Sequence, residues 1–116
     1  MGLRATVIKK YEIEYGNTQG FNYDPDTLNN IIYEFCDDYY NGDISTDTIW
    51  EVDKEQFKDM LNELREMSKD EFNERMEEDW FCGDDKPYSK KYILEIFQAW
   101  LAETPENSNY VRIGWL

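Results

Sequence analysis

Apolar and polar positions alternate over the first fifteen residues. Leu3, Ala5, Val7, Tyr11, Ile13 and Tyr15 fall on one side, interrupted by Lys9; Arg4, Thr6, Lys10, Glu12 and Glu14 fall on the other, interrupted by Ile8. A period of two predicts a half-buried strand over 3–15. The Gly-Asn-Thr-Gln-Gly run at 16–20 then reads as a turn or loop. A second alternation, Ile44, Thr46, Thr48, Trp50 and Val52, predicts a strand over 44–52. A third, with Val111, Ile113 and Trp115 on one face, predicts a strand over 109–116.

Between these runs the period changes to that of a helix. Asp24-Pro25 supplies an N-cap followed by a first-turn proline, and Leu28, Ile31, Ile32, Phe35, Cys36 and Tyr39 continue as one apolar stripe toward a C-cap at Asn41-Gly42. Asp53 with Gln56 forms a capping-box pattern ahead of Phe57, Met60, Leu61, Leu64 and Met67. Ser68 with Glu71 repeats that pattern ahead of Phe72, Met76 and Trp80, each four residues apart. So thin a stripe predicts a surface helix with most of its circumference wet. After a loop at 82–87, Ser89 caps a last helix, whose Tyr92, Ile93, Ile96, Phe97, Trp100 and Leu101 form the widest apolar face in the chain; Thr104-Pro105 ends it. The predicted order is β, α, β, α, α, α, β. The expected fold class is α+β: a small, mostly antiparallel sheet of about three strands with about four helices packed on it.

Composition sharpens this picture. The chain of 116 residues is expected to form a single domain over 1–116. With 41% hydrophobic and 16% aromatic residues it can build a core despite its charge. No apolar run approaches the roughly 20 residues of a membrane span, and the first residues lack a signal-peptide core, so the expected location is cytoplasmic. Of the two cysteines, Cys36 falls on an apolar helix face and Cys82 near a loop; a disulfide between them fits the count but not that compartment.

The net charge of −14 is concentrated. Residues 21–86 hold 21 acids and 6 bases, or −15, whereas residues 1–20 carry +1 and residues 87–116 carry 0. Such a field repels nucleic acid and anionic membranes and attracts basic protein surfaces. Its densest part is 69–79, where six of eleven residues are acidic: Asp70, Glu71, Glu74, Glu77, Glu78 and Asp79. Like charges three and four apart on a helix cost a few tenths of a kcal/mol each, and Glu77, Glu78 and Asp79 sit at the unfavourable end of the helix dipole. Glu34, Asp37 and Asp38 on the outer face of the first helix extend the array. Trp80 and Phe81, flanked by these acids, read as an apolar anchor with a charged rim, and Tyr33, Tyr40, Tyr88 and Tyr110 as further partly exposed aromatics.

Catalytic and metal chemistry lack their usual parts. The chain has no histidine, which removes the commonest general base and the Ser-His and Cys-His nucleophiles. Asp43, Ser45, Asp47 and Glu51 have the odd spacing of a calcium loop, but Thr48 stands where glycine is needed and Lys54 where the final glutamate belongs. The chain is therefore expected to be no enzyme and to need no cofactor or metal. It is expected to be an acidic module that binds a basic protein surface, such as that of a nucleic-acid-binding protein. Small phage inhibitors of host defence and toxin-immunity proteins share this composition, and rows of carboxylates can stand in for phosphates. A structural subunit using charge only for solubility, and a carboxylate enzyme or calcium module, are the alternatives.

Overall fold

The computed structural model describes residues 5–10, 14–21, 24–36, 49–83 and 86–115. Among these, strands β1 (Ala5–Lys10), β2 (Glu14–Gly20), β3 (Trp50–Asp53) and β4 (Tyr110–Trp115) form one antiparallel sheet in the order β2-β1-β4-β3. The helices are α1 (Pro25–Phe35), α2 (Lys54–Glu66), α3 (Lys69–Arg75), running into a π-helical turn at Met76–Trp80, and α4 (Lys90–Glu103). The fold is α+β, an antiparallel sheet with helices packed on it.

Strand register places Ala5, Val7, Gly20, Trp50, Val52, Val111 and Ile113 on one face, and all are buried. Helix α4 lies against this face with Ile93, Ile96, Phe97 and Trp100 buried, as expected of the widest apolar stripe. A single cluster joins these to Leu28, Ile31 and Ile32 of α1, Phe57, Met60 and Leu64 of α2, and Phe72, Met76 and Trp80. On the opposite face Arg112 Nε donates to Glu51 Oε2 at 2.7 Å across the β3–β4 pair.

The expected strand over 3–15 is divided: β1 ends at Lys10, and the chain returns as β2 from Glu14. The expected loop at 16–20 is therefore strand. It was hidden because its residues show no apolar alternation; the ladder to β1, shifted twice by irregularities, holds it as an edge strand. Gly20 has a packing reason. A Cβ there would lie 2.5 Å from Ile96 Cδ1 and 3.3 Å from the Tyr92 hydroxyl, so glycine lets α4 approach the strand. Phe21 follows at φ 53°, a conformation costly for a bulky residue, and is held by burial against Tyr88, Tyr92, Phe97 and Trp100.

All four helix starts carry the expected caps. Asp24 Oδ1 accepts from Thr27 N, Asp53 Oδ2 from Gln56 N, Ser68 Oγ from Glu71 N and Ser89 Oγ from Tyr92 N. Helix α1 stops at Phe35, with Cys36 extended, five residues before the expected Asn41-Gly42 cap. Its last turn has no basic residue, and the acids Asp37 and Asp38 come next, an arrangement the negative end of the helix dipole disfavours. The expected C-cap, Tyr39 and Tyr40, and the first part of the strand expected over 44–52 lie outside the described residues. Cys36 is buried and Cys82 exposed, and no disulfide joins them. Among the described residues no helix is long and apolar enough to cross a membrane.

Candidate partner-binding face

The acidic run at 69–79 begins with a local conflict. Its apolar residues recur every four positions, whereas an α-turn takes 3.6, so an α-helical stripe would precess by about 40° per step. The chain widens at Met76–Trp80 into a π turn, closed by Phe81 N donating to Met76 O at 2.8 Å. Phe72, Met76 and Trp80 then all point inward and are buried. With these three side chains pinned, Asp70, Glu71, Glu74, Glu77, Glu78 and Asp79 are all left exposed.

This corrects the reading of Trp80 as a docking anchor. It is 1% exposed and packs edge-on against Phe72 and Phe35. The one polar atom of its side chain, Nε1, donates to Glu34 Oε1 at 3.0 Å. Phe81 is half-buried, with its ring edge-on to Tyr88 at 5.5 Å. Of the anchor expected at Trp80-Phe81, Trp80 is thus spent on the core at the π turn, while Phe81 stays partly exposed.

Arg75 organises the site. Its Nε donates to Asp79 Oδ2 at 2.6 Å, its Nη2 donates to Glu34 Oε1, and its guanidinium lies 5.1 Å from the centre of the Trp80 ring. Hydrogen bonds to Glu34 first, and to Asp79 second, raise its pKa further above the ordinary arginine value, so it is a fixed cation. The pattern reading overlooked Arg75, although it is the sole base between Lys69 and Lys86 and stands four residues before Asp79.

Helix α1 is tied to the same turn by a polar stripe at i, i+3 and i+7. Thr27 Oγ1 accepts from Cys82 N at 3.1 Å, Asn30 Nδ2 donates to Trp80 O at 3.0 Å, and Glu34 binds Arg75 and Trp80. These bonds bring together Glu34, Asp79 and Trp80, which sequence spacing could not connect. Asp37 and Asp38 lie outside the described residues. At the seam between α1 and the π turn is a shallow groove of about 610 Å3, lined by Asn29, Asn30, Tyr33, Glu34, Asp79 and Trp80. Tyr33, expected to be partly exposed, is 75% exposed here and is the open aromatic of the site.

The outer side of α2 is acidic as well, with Glu55, Asp59, Glu63 and Glu66 exposed. Asp59 and Glu63 line a second shallow groove with Phe35 and Gln56. Residues 50–83 hold twelve acids against five bases, for a net −7. Two of those bases are engaged by acids, Lys58 by Glu55 and Arg75 by Glu34 and Asp79. Among the described residues no three His, Cys, Asp or Glu side chains converge to hold a metal ion.

No protein-family model matches the chain, nor does any curated protein or solved structure match it significantly.

Proposed function

We propose that this chain is an acidic protein-binding module that occupies a basic surface of a partner, acting by binding rather than by catalysis. The partner class that fits the charge best is a nucleic-acid-binding protein, whose phosphate-contacting side chains would meet the carboxylates of α2, α3 and the π turn. A cytoplasmic inhibitor of the phage anti-defence or toxin-immunity kind is the simplest biological form of such a module.

One observation carries this reading: Tyr33 stands open at the edge of a groove whose other walls include Glu34 and Asp79. Surface charge alone serves solubility. An exposed aromatic inside an anionic rim adds an apolar contact at the place where long-range attraction delivers the partner.

The test is capture of a basic protein by the immobilised chain from a lysate of its own cells, washed at rising salt. Specific retention is expected at low salt and should be lost by about 0.5 M, where charge is strongly screened. The double substitution Glu74→Lys and Glu78→Lys is expected to reduce it at least about tenfold, since both side chains are exposed and the fold does not depend on them. Retention indifferent to both salt and charge reversal would sink the proposal.

A further inference from the structure

We draw no further inference here: the strongest candidate, the outer edge of strand β2 (Glu14–Gly20), which ends the sheet and pairs with β1 alone among the described residues, carries none because nothing in the structure shows what covers it.

Discussion

A single carboxylate can serve two elements, and Asp24 does so. Its Oδ1 caps α1 through Thr27 N, while Oδ2 accepts from the Tyr88 hydroxyl at 2.7 Å. Burial first, and this bond to Asp24 second, raise the Tyr88 pKa well above the ordinary tyrosine value of about 10. The folded chain therefore keeps the proton above pH 10, where the unfolded chain releases it. This contribution to stability is fully present below about pH 10 and is lost as pH rises beyond that. Thermal melts from pH 8 to 12 are expected to show a steeper alkaline decline for the natural chain than for Tyr88→Phe; parallel curves would refute the assignment. At this scale the sequence disclosed less than the structure. Asp24 is legible as a cap, but its partner lies 64 positions away, and neither that bond nor the Arg75–Glu34 pair leaves a periodic trace.

Elements were legible wherever their stabilisation is local. The caps at Asp24, Asp53, Ser68 and Ser89 and the stripes of α1, α2 and α4 are written in spacing, and the structure uses them. Strand β2 was not legible, because an edge strand of Gly, Asn, Thr and Gln is specified by its neighbour β1. Trp80 was legible on the apolar stripe with Phe72 and Met76, but the same residue also read as an exposed anchor; only the first reading holds, because the chain widens into a π turn to follow the four-residue period. Gly20 reports the same interdependence between α4 and β2. Gly20→Ala is expected to force Ile96 aside and to destabilise the fold by about 1–3 kcal/mol, read as a lower Tm. Combination with Ile96→Val, which shortens the clashing side chain, is expected to recover part of that loss; no coupling between the two sites would contradict the packing argument.

At the scale of the whole molecule, a net charge of −14 sets the balance between fold and partner. Exposed carboxylates repel one another over roughly 30 Å at 0.01 M salt and only about 8 Å at 0.15 M. The Tm is therefore expected to rise with sodium chloride over this range, while the affinity for a basic partner falls. A Tm that fell with salt would mean that internal pairs such as Arg75 with Glu34 and Asp79 outweigh the repulsion. The magnitude of the charge was plain from composition. The grouping of Glu34, Asp79 and Tyr33 around one groove was not, because it depends on α1 lying beside the π turn.

The pairing of β1 with β4 also bears on how the chain is made. Ala5 and Trp115 are register partners, although more than a hundred residues separate them. On the ribosome, β1 and β2 emerge before β4, and one side of β1 must wait for Tyr110–Trp115 before it gains its strand partner. The apolar face of α4 is likewise translated before β4 completes the sheet that covers it. Between the translation of β1 and that of β4 the nascent chain thus carries an open strand edge and an incomplete core, and β4, the last of the four strands to arrive, closes both together.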